Sequence, residues 1–357
     1  MKRFLLYICS LMMVISLAAC GDSDDKPVDA ASIRVVFQVY VPSATQVSRA
    51  DDDPEETGEE WESAIRLDKL HVVLYAKDGT SIGGLEHVSL IRTSNPNMYD
   101  VVGSILVNKL NLVDGKLDGT IAVYANMDAV DETASFDEQT VNRLTFQATT
   151  SQQHAIPMWG IKRLNIPMQA GAQTQIGTIN LLRAEAKIQL FLRDDEQMKN
   201  YEIGSVSLSR VNTAGYCLPQ FANIKAIKDV QELEHDAFCH FLSSDSPQTD
   251  VDMSQGAIYV PEYENRVKVD GAADTYISRE DAAVINLKLM DKRDHSEKEY
   301  RVPFVEYDAA GAPTSQPVDI VRDHYYKFEV YLSSDDMLKV NLKVRKWYYV
   351  KHDEILM

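Results

Sequence analysis

The chain has 357 residues, with 54 Asp and Glu against 36 Lys and Arg, for a formal net charge of −18. So acidic a surface repels nucleic acid and anionic lipid, and neither is an expected partner. The length sets a prior of two domains at about 150 residues each.

In chain order, Lys2 and Arg3 precede an apolar run, Phe4 to Leu17, that is short and interrupted for a membrane span. The run ends in Leu17-Ala18-Ala19-Cys20, the pattern of a signal peptide with small residues at the cut. A Cys directly after Leu-Ala-Ala resembles the bacterial lipobox, whose cysteine receives a diacylglycerol and becomes the mature N-terminus. Cys20 is therefore the expected lipidation site; an ordinary secretory cut beside a cysteine is the alternative. The acids of Gly21-Asp22-Ser23-Asp24-Asp25 resemble the surface-export signal of Bacteroidota-type lipoproteins. Loss of Lys2 and Arg3 with the signal takes the charge to −20. No later run is long and apolar enough to span a bilayer, so lipid is the expected anchor.

Ile33, Val35, Phe37, Val39 and Val41 share one face of a predicted strand, with Arg34 and Gln38 on the other. The segment that follows, Pro42 to Glu62, is polar and acidic. Arg49 is the only basic residue between Arg34 and Arg66. Such a segment has the composition to enter a protease; a linker with an incidental arginine is the plain alternative. Leu70, Val72, Leu74 and Ala76 repeat the alternation into a turn at Lys77-Asp78-Gly79. Further short β-rich runs lie at 120–126, 186–192, 205–211, 257–263, 283–290, 325–332 and 337–350. Predicted helices are few: Asp137 to Leu144, and Ile224 to Phe241, where Ile227, Val230, Leu233 and Phe238 recur at helical spacing. Ile-Pro-Met at Ile156 and again at Ile166 reads as a hairpin, not a repeat architecture. The predicted fold is mostly β, two sandwiches in series joined after Leu182.

The search for catalytic chemistry returns almost nothing. GxSxG, phosphate-loop, dinucleotide-loop and HExxH patterns are all absent, so no enzyme activity, cofactor or metal is expected. His235 and Cys239 are four apart and could face one metal from a helix, with His240 and distant Cys217 nearby. A helix with one buried thiol is the expected reading, because a closed site would need all its ligands to converge on this patch. Adjacent Cys239 and His240 diverge by about 100° on a helix and do not form a nucleophile pair. The acidic run after Arg49 lacks the spacing of a calcium loop. Trp61, Trp159, Tyr216 and Tyr263 could bind sugar, but aromatics of a sandwich are expected in packing. Cys217 and Cys239 are the cysteines left in the mature body. In an oxidising compartment they are a candidate disulfide, and the sequence leaves paired and free both open.

Several motifs together resemble the fimbrillin, or type V pilin, lipoproteins of Bacteroidota. They are His154 to Gly160 (HAIPMWG), Leu181 to Leu190 (LLRAEAKIQL), Ile258 to Asn265 (IYVPEYEN), Ile320 to Val330 (IVRDHYYKFEV), Asp118 to Asn126 and Leu342 to Trp347. Their order over Ile33 to Trp347 covers essentially the whole mature chain. The resemblance implies two tandem transthyretin-like β-sandwich domains. It divides the chain into a signal (1–19), a propeptide carrying the first strand (20–49), an N-terminal sandwich (50–182) and a C-terminal sandwich (183–357). It further implies an arginine-specific surface protease that cuts between Arg49 and Ala50 and removes the strand of Ile33, Val35, Phe37, Val39 and Val41. A C-terminal strand of a neighbouring subunit then fills the groove. Here the donor candidate is the extension carrying Tyr348, Val350, Ile355 and Leu356. The implied partners are other copies or related fimbrial subunits, the protease, host or bacterial surface ligands, and the outer membrane through lipid before cleavage. The implied location is the outer membrane for the precursor and an extracellular fimbrium afterwards. The competing expectation is a monomeric surface lipoprotein: a tip adhesin, an anchor, or a binder of glycan or host protein.

Overall fold

The computed structural model describes residues 31–42, 59–149, 153–233, 237–272 and 275–346. The first half contributes β1 (Ser32–Tyr40), β2 (Leu70–Ala76), β3 (Ser81–Gly84), β4 (Glu86–Arg92), β5 (Met98–Leu106), β6 (Lys116–Ala125), β7 (Thr145–Gln147), β8 (Met158–Pro167), β9 (Gln173–Asn180) and β10 (Leu182–Arg183). The second contributes β11 (Glu185–Leu192), β12 (Tyr201–Asn212), β13 (Ala214–Tyr216), β14 (Gln248–Asp252), β15 (Ile258–Pro261), β16 (Arg266–Lys268), β17 (Tyr276–Ser278), β18 (Val284–Asp291), β19 (Glu297–Pro303), β20 (Val305–Tyr307), β21 (Pro313–Pro317), β22 (His324–Leu332) and β23 (Leu338–Lys346). The fold is mostly β, as the alternation predicts.

Four larger sheets make two sandwiches. In the first, the order β4-β5-β1-β9 faces β10-β8-β6-β2-β3; in the second, β15-β11-β22-β23 faces β14-β12-β18-β19. Each pair closes over its own apolar core, one built around Phe37, Leu74, Val101, Ile121 and Ile179, the other around Ile188, Leu208, Ile285, Phe304 and Phe328. The chain passes from one sandwich to the other between β10 and β11. The turn at Lys77-Asp78-Gly79 joins β2 to β3. Gly79 adopts φ 89°, where a side chain would be strained, and its missing Cβ would lie 2.8 Å from the Phe136 carbonyl oxygen.

The five-stranded sheet is buried on both faces, which explains why β6 has no polar alternation from Gly119 onward. Its outer face carries Tyr75, Tyr124, Trp159 and Ile161. These are covered by Phe136, Phe146, Leu218, Ile224, Val230 and Phe238, many of them from the second half of the chain. Strand β13 pairs with β7 and adds a main-chain link between the halves.

Three local expectations are corrected. The helix over Asp137 to Leu144 shrinks to α1 (Glu138–Val141), with the Asp137 side chain accepting from Thr140 N at 2.8 Å. The helix over Ile224 to Phe241 is not formed. Among the described residues there are only α2 (Phe221–Ile224) and a 3-10 turn at Val230–Glu232. The reason lies in β8: Arg163 takes the carbonyls of Lys225 and Ile227 with its guanidinium and that of Lys228 with its main-chain N–H. Those carbonyls are no longer available to a helical ladder. The two Ile-Pro-Met copies flank a single strand, β8, instead of forming a hairpin.

Candidate functional site

Strand β1 is an interior strand. It pairs antiparallel with β5 from Ser32↔Leu106 to Tyr40↔Met98, and parallel with β9 from Arg34↔Gln173 to Tyr40↔Asn180. Ile33, Val35, Val39 and Val41 are 0% exposed and Phe37 2%, so the whole apolar face read in the sequence lies in the first core. Both main-chain edges and one full face of β1 are therefore enclosed. Withdrawing it would open a groove walled by β5, β9 and the facing sheet, with two ladders unpaired.

The exit of this slot is built with equal care. Val41 N donates to Asn97 O at 2.9 Å, and Leu181 N donates to Tyr40 O at 2.8 Å. Leu181 reaches β1 because Gly160 lets the chain cross: a Cβ there would sit 2.3 Å from Asn180 O. Beyond Tyr40, Pro42 gives its carbonyl to Arg183 Nη1. Arg183 is 0% exposed. Its Nε also donates to Glu62 O at 3.1 Å, and its Nη1 lies 3.3 Å from Asp323 Oδ1.

Arg183 begins a buried charge ladder along the crossing between sandwiches. Glu185 receives the His154 ring at 2.7 Å, and Lys187 Nζ donates to Glu62 Oε1 at 2.7 Å. The Tyr259 hydroxyl donates to the same Glu62 oxygen, and Trp61 packs edge-on against the Tyr259 ring at 4.7 Å. Burial, with Glu62 alongside, pushes the Tyr259 phenol far above its ordinary range. The 3-10 turn Glu60–Ser63 is thus plugged into the junction of the two sandwiches. In the sequence LLRAEAKIQL carries the family resemblance and runs into the predicted strand at 186–192, but marks no site. Its signal was charge at every second position inside an apolar run, a pattern that a water-facing strand would share.

The remaining predicted residues fall as follows. Cys20, Arg49, Ala50, Tyr348, Val350, Ile355 and Leu356 lie outside the described residues, as does His235. Cys217 and Cys239 are both free thiols, not a disulfide. The Cys217 Sγ is enclosed 3.9 Å from Met158 O, and Cys239 packs at the edge of the same apolar cluster. Burial pushes both thiols up to about 12, which removes the thiolate that nucleophilic chemistry needs. His240 donates to Leu218 O through Nδ1, stacks on Tyr216 at 3.7 Å, and serves packing. No group of three or more His, Cys, Asp or Glu able to hold a metal occurs among the described residues. Trp159 and Tyr263 are buried and Trp61 is half-buried in the junction, so these aromatics pack and do not form a sugar platform. Among the described residues no helix is long and apolar enough to cross a membrane. A cleft of about 480 Å³ runs between Arg266, Asp319, Tyr307, Cys239 and the β23 residues Leu342 and Val344.

Together these features define a two-sandwich β protein whose distinctive site is an enclosed first strand and its exit. No family model matches the chain, and no curated protein matches it. Solved structures do. A candidate cell adhesion protein from Parabacteroides distasonis is 14% identical over 90% of this chain and 98% of its own, with a TM-score of 0.49. A fimbrilin from Porphyromonas gingivalis is 14% identical over 88% and 98%, with a TM-score of 0.48. A fimbrial assembly protein from Parabacteroides distasonis is 13% identical over 87% and 99%, with a TM-score of 0.47. The likeness is one of fold alone.

Proposed function

We propose that this chain is a structural subunit of a cell-surface fimbria, not an enzyme. It is exported as a lipoprotein on Cys20, cut after Arg49 and linked to the next subunit when a foreign strand takes the place of β1. The observation that carries the reading is the position of β1. It is the first strand among the described residues, it is interior to its sheet, and a segment with one lone arginine follows it. One cut in that segment detaches β1 from the rest of the chain without touching the other strands.

The energetics favour refilling. Burying each of the five inward side chains stabilises by roughly 1.5–3 kcal/mol, and an open groove forfeits this along with two ladders. A strand from a neighbour restores both, main-chain bonds supplying affinity and alternate side chains supplying register. The extension carrying Tyr348, Val350, Ile355 and Leu356 is the donor in this reading. Head-to-tail exchange is a heterologous contact that does not close, so it yields a filament.

The test is the mature N-terminus of protein sheared from the cell surface, by terminal sequencing and intact mass. A chain beginning at Ala50 is expected, and Arg49→Ala is expected to keep Cys20 as its N-terminus and to abolish fimbriae. Wild-type protein still beginning at Cys20 within assembled fibres would sink the reading and leave a surface-anchored binder.

A further inference from the structure

Resting on the strand-exchange reading, we propose that Arg183 is the specificity-determining clamp of the slot. It grips the main-chain carbonyl at the exit of whichever strand occupies the slot, and so requires that strand to run on past the sheet edge. One guanidinium touches both sides of the segment that contains Arg49: Pro42 O upstream and Glu62 O downstream, with Asp323 of the second sandwich as a third contact. Arg183 holds the exit because it is fully buried, and only an occupant whose main chain continues past the position of Val41 brings its guanidinium a carbonyl there.

Two consequences follow for the cut chain. Cleavage in the segment leaves Pro42 and Glu62 both held by Arg183, so β1 stays seated until a competitor displaces it. The competitor must bring a carbonyl to the position of Pro42. Beside that position lies a hollow of about 100 Å³ bordered by Leu182, Val230, Phe238 and Asp323, which suits an apolar side chain at the exit. The slot therefore selects an extended peptide that continues past the sheet edge with an apolar residue and an accessible carbonyl.

The experiment uses the full mature chain with a sequence-specific protease site placed between Ser43 and Gly58, so that it does not depend on cutting at Arg49. After cutting, the fragment carrying β1 is expected to co-elute with the body of wild-type protein. In Arg183→Met it is expected to dissociate about tenfold faster or more, with partial rescue in Arg183→Lys. Peptide exchange provides a readout that needs no variant. A synthetic peptide of residues 32–42 with an amidated C-terminus is expected to displace the fragment from cut wild type about tenfold more effectively than an amidated one ending at Val41. Equal retention in wild type and Arg183→Met, or equal exchange by the two peptides, would overturn the clamp while strand exchange stands. A cut chain whose β1 no peptide displaces would overturn strand exchange, and the clamp with it.

Discussion

Asp319 sits where the second sandwich meets the cleft beside β23. Its Oδ1 accepts from the main-chain N–H groups of Asn265 at 2.8 Å and Arg266 at 3.1 Å, and Arg266 Nε lies 2.7 Å from Oδ2. Burial nevertheless pushes its carboxyl up to about 6 from an ordinary 3.8, against the pull of Arg266 and the two amides. Between those values the native chain holds a proton that the unfolded chain has released. Stability from this residue is therefore greatest at the acid end and falls as pH rises through about 6. Asp319→Asn is expected to flatten that fall, read as urea midpoints at about pH 4.5 and pH 7; the same pH slope in the variant would refute it. Arg183 marks the opposite limit of what a residue reveals by its type. In sequence it is one cation in an apolar run, and nothing local tells whether such a cation faces water or a second set of polar groups. Its partners, Pro42, Glu62 and Asp323, are scattered over the chain and converge only once both sandwiches are formed.

Among the elements, strands were the most legible, because a period of two is written directly in the side chains. β1, β2, β11, β12, β18, β22 and β23 fall where the alternation puts them, and β6 where a short β-rich run does. The burial of Ile33, Val35, Phe37, Val39 and Val41 matches the alternation position by position. The reading was weakest between Lys225 and Phe238, where apolar residues at helical spacing are met by an arginine from another strand that claims their carbonyls. Spacing identifies which side chains turn inward; it does not say who takes the main chain. For β1 the energetic consequence can be measured. Phe37→Ala is expected to destabilise the uncut chain by about 3–5 kcal/mol in urea unfolding, since its ring is fully enclosed. On the strand-exchange reading the same substitution is expected to leave the stability of an assembled fibre unchanged, because β1 would have been replaced. A fibre that loses stability in proportion to the monomer would refute the exchange.

For the whole molecule, the junction between sandwiches is unusually ionic. Arg183, Glu185 and Lys187 meet Glu62, His154 and Asp323 out of water, and Arg322 pairs with Glu262 at 2.6 Å nearby. Buried ion pairs add little net stability, but removing one partner leaves a charge stranded. Lys187→Ala is expected to destabilise by about 3–5 kcal/mol, whereas replacing Lys187 and Glu62 together with Met and Leu is expected to cost far less. Equal costs from urea titration of the two would show that packing, not charge pairing, dominates. Because Glu62 belongs to the turn Glu60–Ser63, this junction ties that turn to both sandwiches at once.

The interior place of β1 bears on durability. Phe37 pairs with Gly177, so the first sandwich closes only after most of its chain has been made, around a strand from its beginning. On the strand-exchange reading that strand is then discarded, and the native shape outlives the segment that guided it. An assembled subunit that opened would have no covalent copy of β1 with which to refold. Its persistence is then set by an unfolding rate and not by a reversible equilibrium, and the fibre is expected to endure for kinetic reasons.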